Sequence, residues 1–560
     1  MKIFTTTRIL LPIICLSLLS LISDAETIHQ WEVVQIKFKS GKEYSNPYNN
    51  IPATTGGDLL RITFEGTEGE ALNKKITLAC FWNGGSEWCV NFAPPLTGKW
   101  KYTSFSADKS MNGKKGHLEV IAWSEEEKNV NPTRHGLIRV NKSGEQAGHY
   151  FEYSDGEPFL WIGDTWWNWT NSRIHMETFK QMVDNRSEKG FNIGQLFVPG
   201  NGWGRESSLL DETFTILDTA HARYVEEMVR YANSRGITVW IHGWWSRPNM
   251  NTTIGAEKMQ RWWRYLVHRL GAYNVIWVLA GEYNMNNYGG FSLDFWKGLG
   301  QLIKQEDPYD RIISLHNTPP FWSCGAEAPQ WSTGAVLHQE PWLDYNQSQV
   351  GHGKYANEMI PQVVSADYHR KPSKPIVVTE PWYEFIEGNP TGKDIRFAAW
   401  SAILSGSAGH TYGGGHVWLA SVPESPGGNG PWPIEKGFDR TTYDYEGAMS
   451  MKYLAEFFKN KKWWVMAPHP ELVSEYPQPF CLAKPGDEYV VYLRYGGTFK
   501  IRLNNADTTE MYKYHWFNPS TGKISDAKSI QGSGIVEFNC PESYPDNPEF
   551  KDWVFYIRKE

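Results

Sequence analysis

Basic clusters, phosphate-binding glycine loops and metal-ligand spacings are all missing from this 560-residue sequence. The formal net charge is −7 and no long run of Lys and Arg occurs. A nucleic-acid partner is therefore not expected, because phosphate binding needs concentrated positive charge. Cysteines number only six and form no Cys-x-x-Cys pair, and we expect neither a bound metal nor another cofactor.

Residues 1–25 have the pattern of a signal peptide. Lys2 and Arg8 supply positive charge, residues 9–22 form an apolar run, and Ser23 and Ala25 give small residues where cleavage is expected. The protein is therefore expected to be exported, to the periplasm or the extracellular space, with no stable membrane insertion after cleavage. A retained anchor is the alternative, although the apolar run is short for a membrane span.

Five cysteines follow this leader, an odd number that leaves at least one thiol free. Cys80 and Cys89 lie on neighbouring strand-like segments and could pair across a hairpin. Cys481 and Cys540 could pair within the last domain. An oxidising compartment would permit both bridges, and the sequence leaves both pairings open.

Three regions of different pattern make up the rest of the chain, which is too long for one hydrophobic core. Residues 28–142 carry short alternating apolar runs separated by turn residues, which predicts an all-β sandwich. Residues 149–463 alternate apolar runs with amphipathic helical stretches, which predicts parallel strands joined by helices. Residues 464–560 return to short strands and predict a second all-β sandwich.

The middle region contains eight strand-like runs, the number of strands in a (β/α)8 TIM barrel. These runs are 159–164, 191–198, 237–244, 275–282, 311–317, 342–347, 375–380 and 408–413. Helix patterns between them include 220–235, 256–270 and 395–404. We therefore predict an α/β fold, a (β/α)8 TIM barrel flanked by two all-β sandwich domains. A doubly wound open sheet is disfavoured, because no Gly-rich phosphate loop opens a helix.

Two of the eight runs end in glutamate, and barrel active sites lie at the carboxyl ends of the strands. The fourth run ends at Glu282 and the seventh at Glu380. Strands four and seven lie on opposite sides of the barrel mouth, so these carboxylates can face one another across a substrate. Such a pair can flank a glycosidic bond, about 5–5.5 Å apart in retaining enzymes and about 6.5–9.5 Å apart in inverting ones. A structural salt bridge at each strand end is the alternative interpretation.

Aromatic residues are abundant, with 28 Trp, 28 Tyr and 26 Phe. A Trp ring can cover the C–H face of a sugar while polar neighbours bind the hydroxyls. Asp at the end of a first barrel strand often binds a sugar hydroxyl in barrel glycosidases. The predicted substrate-binding set is Asp164, Trp166, Trp167, Trp203, His242, Trp244, Asn317, Tyr345, Gln347, His352, Trp382, Tyr412 and His416. A structural role is the alternative for each of them. A metal site is disfavoured, because no tight ligand spacing appears among the candidate histidines, which are His242, His316, His410 and His416.

The barrel opening reads FLWIGDTWW at 159–167. This segment resembles the apiosidase-like glycoside hydrolases, the family that includes pectic apiosidases, and it is the most specific similarity in the chain. Three further segments fit the same family, QSQVGH at 347–352, RFAAW at 396–400 and GHTYG at 409–413.

The flanking regions are similar to the same family's companion domains. The segments NPY at 46–48, FWNGG at 81–85 and FAPPLTGKW at 92–100 resemble the β-sandwich that precedes many such barrels. The last region resembles a small β-domain named for collagen binding. The resemblance therefore covers nearly the whole chain.

The resemblance implies a retaining hydrolase with Glu282 as acid/base and Glu380 as nucleophile. Members of the family can carry Asp, preceded by Gly, at the strand-four position, whereas this chain has Gly281-Glu282. The extra methylene moves the proton donor by about one bond length. This difference favours a sugar or linkage other than that of apiose.

The resulting hypothesis is a retaining glycoside hydrolase acting on a plant or algal cell-wall polysaccharide or oligosaccharide by a two-glutamate double displacement. A non-catalytic carbohydrate- or matrix-binding protein on a barrel scaffold is the alternative from another class. A third interpretation is an inverting hydrolase that uses Asp164 or Glu384 together with one glutamate of the pair.

Overall fold

The computed structural model describes most of the chain that follows the leader region. The described residues are 26–50, 60–198, 214–325, 328–426, 440–503, 510–532, 534–541 and 552–560. The predicted signal peptide at 1–25 and the predicted sugar contact Trp203 lie outside these residues. No helix of the described part is long and apolar enough to cross a membrane.

The centre of the molecule is an eight-stranded parallel sheet that curls into a nearly closed barrel. Its strands are Trp161–Trp166, Ile193–Phe197, Thr238–His242, Val275–Val278, Ile313–Ser314, Asn346–Gln349, Ile376–Glu380 and Gly409–Tyr412. Neighbours in the sheet are neighbours in the chain, and the first strand also pairs with the eighth. The fifth and sixth strands meet where Asp344 N donates to Ile313 O at 3.0 Å. The predicted barrel is therefore confirmed, and each of the eight runs overlaps one strand, although the first and sixth strands, Trp161–Trp166 and Asn346–Gln349, extend beyond the predicted runs.

Helices connect the strands and cover the outside of the barrel. After strands one to eight come Met176–Glu188, Thr219–Ser234, Ala256–Leu270, Leu293–Glu306, Gly334–Leu337, Lys354–Tyr368, Gly392–Leu404 and Glu446–Phe458. Four-residue helices also occur at Met250–Thr253, Asn286–Gly289 and Gly415–Trp418.

Side-chain N-caps stabilise the first turn of two of these helices. Asp218 accepts hydrogen bonds from Ala220 N and His221 N, both at 2.9 Å. Ser292 accepts one from Phe295 N at 3.2 Å. Such caps satisfy backbone donors that a helix N-terminus leaves unpaired.

A small three-stranded sheet closes the amino-terminal end of the barrel. Its strands are Ile138–Val140, Phe151–Tyr153 and Pro158–Phe159. Phe151 packs against Trp161 and Tyr345, with ring centroids 5.9 and 5.5 Å apart. Tyr345 also accepts a hydrogen bond from Trp240 Nε1 at 2.7 Å. These rings fill the lower barrel, so access to its interior is from the opposite, carboxyl end of the strands.

The N-terminal domain consists mainly of β-strands, with short 3₁₀ helices at Pro47–Asn50 and Gly69–Ala71. A short α-helix at Glu125–Val130 and a 3₁₀ helix at Pro132–His135 follow its last strand. One sheet contains Glu26–His29, Lys115–Ile121, Gly98–Phe105, Arg61–Gly66 and Lys75–Ala79, in that spatial order. A second, two-stranded sheet pairs Val34–Tyr44 with Phe81–Phe92. The domain binds the barrel through Asn91, whose amide donates to Glu226 at 2.6 Å, and Glu226 in turn pairs with Arg269 at 2.7 Å.

The C-terminal domain is also all-β. A six-stranded sheet contains Ala467–Pro468, Phe480–Lys484, Glu488–Leu493, Trp553–Lys559, Glu510–Phe517 and Lys528–Gly532, and a three-stranded sheet contains Val473–Ser474, Thr498–Arg502 and Ile535–Asn539. Arg396, on a barrel helix, forms a buried ion pair with Asp552 at 2.8 Å. Buried ions need partners of opposite charge, so this pair fixes the domain against the barrel.

All five cysteines of the described residues are free. The bridges considered from the sequence are therefore absent. Cys80 comes directly before the strand Phe81–Phe92, and Cys89 lies within that same strand rather than on a facing one. Cys481 and Cys540 are likewise unpaired in the C-terminal domain.

Candidate active site

Glu380 ends the seventh barrel strand, and its buried carboxylate contacts two histidines. His316 Nε2 lies 2.9 Å from Oε2, and His352 Nε2 lies 3.4 Å from Oε1. Burial raises the pKa of this carboxyl, but the hydrogen bonds with His316 and His352 outweigh burial and lower it to about 2. Glu380 is therefore ionised at neutral pH.

Glu282 lies four residues beyond the fourth strand and is also buried. Trp245 Nε1 donates to Oε2 at 2.9 Å, and Gln349 Nε2 donates to Oε1 at 3.2 Å. Burial, followed by the negative charge of Glu380, raises the pKa of Glu282 to about 7. Much of the Glu282 population is therefore protonated near neutral pH.

The backbone around Glu282 explains how its carboxyl reaches this position. Glu282 has a φ of +49°, in the left-handed region that non-glycine residues rarely adopt. A Cβ on the preceding Gly281 would lie 2.2 Å from the Trp245 ring, so only glycine allows this close approach. Trp245 and Gly281 also form a parallel β-bridge. The close contact places the indole N–H against the carboxylate.

Both glutamates line one cavity of about 550 Å³ at the carboxyl end of the barrel. Four largely buried aromatic side chains form part of its wall, Trp167, Trp245, Tyr383 and Trp418. Three exposed aromatic side chains line its rim, Phe321, Trp322 and Tyr355. Other lining residues include Arg247, Met285, Gln349, His352 and Glu387. The opening and the aromatic walls suit a ligand with apolar faces and polar edges.

Four residues of the predicted site line this cavity together, and they are Trp167, Glu282, His352 and Glu380. Trp167 also donates from Nε1 to the Tyr383 hydroxyl at 3.2 Å. This aromatic and polar arrangement surrounds the two carboxyl groups.

The structure places Asp164 away from the cavity. Its Oδ2 pairs with Arg186 Nε at 2.6 Å and accepts from Trp166 Nε1 at 2.8 Å, while Oδ1 accepts from Thr165 N. Trp166 is fully buried, and its ring lies where a Cβ on Gly194 would be. The carboxylate of Asp164 and the indole N–H of Trp166 are therefore bonded within a buried structural network rather than directed at a ligand.

Three other predicted residues lie inside the barrel, below the cavity. Gln347 Oε1 is 3.1 Å from His316 Nδ1, and Tyr345 bonds to Trp240 deeper in the barrel. His242 is buried with its ring edge-on to Trp167. Strand side chains point into a barrel in successive layers, and these three residues occupy deeper layers than the glutamates. Asn317 instead follows the fifth strand, which ends at Ser314, and its amide donates to backbone oxygens of Thr318, Gln330 and Gln349.

Four predicted residues pack around the barrel mouth but do not line the cavity. Trp244 packs edge-on against Phe214, and Trp382 donates to Glu387 O at 2.6 Å. The Tyr412 hydroxyl donates to Glu384 Oε2 at 2.7 Å. His416 Nδ1 lies 2.6 Å from the Tyr445 hydroxyl.

Glu384, the other carboxyl considered for an inverting mechanism, is fully buried outside the cavity lining. It accepts from Tyr412 and from Gly447 N, the latter at 3.0 Å. Burial raises the pKa of Glu384 to about 7. Neither Glu384 nor Asp164 therefore shares the cavity with Glu282 and Glu380.

Four side chains with direct roles around the glutamates were absent from the predicted set, Trp245, His316, Gln349 and Tyr383. Gln349 could have been found by extending the sixth strand two residues, because Gln347 and Gln349 share a face of that strand. His316 lies within the fifth predicted run, 311–317, but the predicted set includes only the last residue of that run, Asn317. No group of three His, Cys, Asp or Glu in the described part of the chain could hold a metal ion.

One ionised and one largely protonated carboxyl therefore face the same cavity in the mouth of a (β/α)8 barrel. Paired carboxyl groups at the carboxyl end of a (β/α)8 barrel are the arrangement that glycosidases use to cleave a glycosidic bond. The chain belongs to the apiosidase-like family, because the model described as "Apiosidase-like, catalytic domain" matches residues 145–465.

Matches to other domains flank the catalytic one. Residues 27–107 match a domain of unknown function, DUF5060, and residues 474–558 match a collagen-binding-type domain described from a collagenase. No curated protein matches the chain in sequence.

Solved structures share the fold of this chain at low sequence identity. One protein of Bacteroides vulgatus ATCC 8482, assigned to the glycoside hydrolases, is 18% identical with a TM-score of 0.69, covering 96% of this chain and 100% of its own. A glycoside hydrolase family 5 structure from the same organism is 20% identical with a TM-score of 0.64, covering 76% of this chain and 94% of its own. Another structure, named only a glycoside hydrolase, is also 20% identical with a TM-score of 0.64, and the match covers 76% of this chain and 98% of its own.

Proposed function

We propose that the protein is a retaining glycosidase in which Glu380 is the nucleophile and Glu282 the acid/base. The observation that carries this proposal is that the two carboxyls line one cavity with different partners, two histidines at Glu380 and the neutral side chains of Trp245 and Gln349 at Glu282. These surroundings lower the pKa of Glu380 to about 2, whereas burial and the charge of Glu380 raise that of Glu282 to about 7, which suits an ionised group paired with a proton donor. Retention, with Glu380 as the nucleophile, is the mechanism that the family resemblance implies.

In the first step, a Glu380 oxygen attacks the anomeric carbon while Glu282 gives its proton to the glycosidic oxygen. The bond between that carbon and that oxygen breaks. The leaving sugar departs as an alcohol, and the remaining sugar is held as an ester of Glu380.

In the second step, Glu282 takes a proton from a water molecule whose oxygen attacks the anomeric carbon, and the ester bond breaks. Glu380 loses its charge on forming the ester, and that charge is one cause of the raised pKa of Glu282. The pKa of Glu282 therefore falls in the intermediate, which favours its change from acid to base.

The substrate we propose is a plant or algal cell-wall polysaccharide or oligosaccharide, cleaved by a protein exported through the leader at 1–25. Aromatic walls beside paired carboxyls support a carbohydrate ligand. Members of the family can carry Asp at this position, and the longer Glu282 favours a sugar or linkage other than that of apiose.

The test is incubation with a panel of purified cell-wall and algal polysaccharides, followed by product analysis and by NMR of the first-formed anomer. We expect retention of configuration, and loss of turnover in Glu380→Ala and in Glu282→Gln. Inverted product, or wild-type rates in either variant, would overturn the mechanism. Polysaccharide binding without any cleavage would favour the non-catalytic binding protein instead.

A further inference from the structure

Three large aromatic side chains stand exposed at the rim of the catalytic cavity. Phe321, Trp322 and Tyr355 are 73%, 67% and 61% exposed, and all three line the cavity that holds the glutamates. Leaving such rings in water forgoes the free energy that their burial would contribute. We call these three residues the aromatic shelf.

The shelf is fixed by local packing and hydrogen bonds. Phe321 and Tyr355 each pack against Trp331, with ring centroids 6.2 Å apart in both cases. Trp322 ends the one-turn helix Pro320–Trp322, and its backbone N–H donates to Pro319 O at 2.9 Å. The rings of Phe321 and Tyr355 and the backbone of Trp322 are therefore held in position before any ligand binds, which lowers the entropy cost of binding.

Hydrogen bonds join the shelf to the segment that follows Glu282. Thr318 N donates to Asn284 Oδ1 at 2.7 Å, and Cys324 N donates to Asn284 O at 2.8 Å. These bonds flank Phe321 and Trp322 on both sides in sequence. The shelf is thus attached to the loop of the proposed acid, the group that protonates the departing part of the substrate.

The shelf differs in character from the rest of the cavity. None of its three side chains carries a charge, whereas the inner cavity holds both glutamates and His352. An uncharged, exposed aromatic surface suits the C–H face of a sugar ring, whose hydroxyls remain in water. It does not suit a charged group that needs an ionic partner.

We propose that the aromatic shelf binds a sugar ring on the leaving-group side of the scissile bond, so that the enzyme acts on saccharide chains that extend from the cavity over Trp322. This assignment rests on the proposed glycosidase function, because that function defines the leaving-group side. The reacting sugar occupies the buried part of the cavity, between Trp167, Trp245 and Trp418, and the next ring stacks on the shelf.

Affinity electrophoresis through gels that contain each soluble polysaccharide of the panel tests the shelf directly. The starting protein is the full chain carrying Glu380→Ala, which binds without turning over. Adding Trp322→Ala should weaken retardation about tenfold in dissociation constant, the loss of roughly one good aromatic contact. Tyr355→Ala should act in the same direction.

The matched control is Phe105→Ala, which removes another ring, 54% exposed, from the N-terminal domain. It should retain the affinity of the starting protein. Circular dichroism and thermal melting establish that each variant is folded. Equal retardation of the shelf variants and the starting protein, or no retardation by any polysaccharide, overturns the proposal. So does a shelf variant that changes only the oligomeric state in size-exclusion chromatography, because the shelf would then bind a second copy.

Kinetics separate failure of the shelf from failure of the glycosidase. If a polysaccharide is cleaved, Trp322→Ala in the active enzyme should lower kcat/KM more on that polymer than on the glycosyl fluoride of the sugar that forms the ester with Glu380, because fluoride is too small a leaving group to reach the shelf. If both substrates are cleaved and Trp322→Ala lowers kcat/KM equally on both, the proposed saccharide site on the shelf is wrong, whereas the glycosidase function stands. Shelf-dependent binding without any cleavage keeps the shelf as a saccharide site and rejects the hydrolytic function.

Discussion

His316 and Glu380 meet inside the barrel mouth, with 2.9 Å between the Nε2 of the histidine and the Oε2 of the carboxylate. The fifth strand, which ends at Ser314, thus supports the residue that ends the seventh. On the other side of the ring, Nδ1 lies 3.1 Å from Gln347 Oε1. This second contact fixes the ring so that Nε2 faces the carboxylate, and the hydrogen bond favours the ionised form of Glu380.

Replacement of His316 should therefore raise the pKa of Glu380. In His316→Ala, the acid limb of kcat/KM should move to higher pH from its position near the Glu380 pKa of about 2, because the ionised form loses a hydrogen bond. A pH–rate series on wild type and variant measures the shift. His117→Ala, at an exposed position of the N-terminal domain, is the control and should leave the limb in place. An acid limb that does not move in His316→Ala would contradict the role given to this contact.

The basic limb, the pH at which kcat/KM falls on the basic side of the pH profile, should depend on Gln349. Activity is lost as Glu282 gives up its proton, so this limb falls near the Glu282 pKa of about 7. Gln349 Nε2 donates to Glu282 and favours its charged form. Gln349→Leu should therefore move the basic limb to higher pH, and Trp245→Phe, which lacks the indole N–H, should do the same. A shift to lower pH in both variants would show that they act through solvent exposure instead.

Coupling between the two glutamates can be measured without turnover. The charge of Glu380 raises the pKa of Glu282, after burial as the larger cause. Glu380→Gln keeps the shape and removes the charge, so the pKa of Glu282 should fall below about 7. Carbon NMR of side-chain-labelled glutamate gives this titration, with the resonance identified by its loss in a Glu282→Gln double variant. An unchanged pKa would mean that the carboxyls are too far apart to act on one bond.

The order of strands and helices was predictable from the sequence because it depends on local patterns. The predicted helix at 256–270 has the observed bounds Ala256–Leu270, and each of the eight apolar runs overlaps a barrel strand. The two glutamates were found for the same reason, since each follows an apolar run at the carboxyl end of a strand.

The depth of each side chain was not predictable, because it depends on register and on loop geometry. The sixth predicted run ends at Gln347, but the strand continues to Gln349. Gln347 therefore lies one layer deeper in the barrel than the prediction placed it. In the pair Trp244-Trp245, the chain has left the third strand at His242 and no longer alternates regularly. Trp245 therefore reaches Glu282, whereas Trp244 packs outside against Phe214. Pattern alone gave no means of choosing between the two.

Asp164 ends the first predicted run but lies within the first strand, Trp161–Trp166, and its role in stability can be tested. Asp164 and Arg186 form an ion pair in which both side chains are fully buried. Arg186→Met leaves the carboxylate without its partner and should lower the free energy of unfolding by about 3–5 kcal/mol. Urea denaturation measures the loss. Arg230→Ala breaks the largely exposed pair with Glu227 and should cost about 0–1 kcal/mol.

Asp164→Asn distinguishes this structural role from the substrate contact expected from the sequence. The variant should lower the unfolding midpoint and leave KM of the folded enzyme close to wild type. A raised KM at undiminished stability would restore Asp164 to the substrate site.

The free cysteines make a final prediction, because burial rather than pairing protects them. Cys80, Cys89 and Cys481 are fully buried, and burial raises the pKa of each thiol, so that the reactive thiolate is scarce. Alkylation of the native protein with iodoacetamide should therefore modify the partly exposed Cys324 first. Cys540 should follow more slowly, since burial raises its pKa to about 12. Alkylation after unfolding without reductant should modify all five, and a reductant should not change the melting temperature. Resistance of Cys80 and Cys89 to alkylation in the unfolded chain would instead reveal a disulfide between them, and with it a rearrangement of the strand Phe81–Phe92 that carries the N-terminal domain's contact with the barrel.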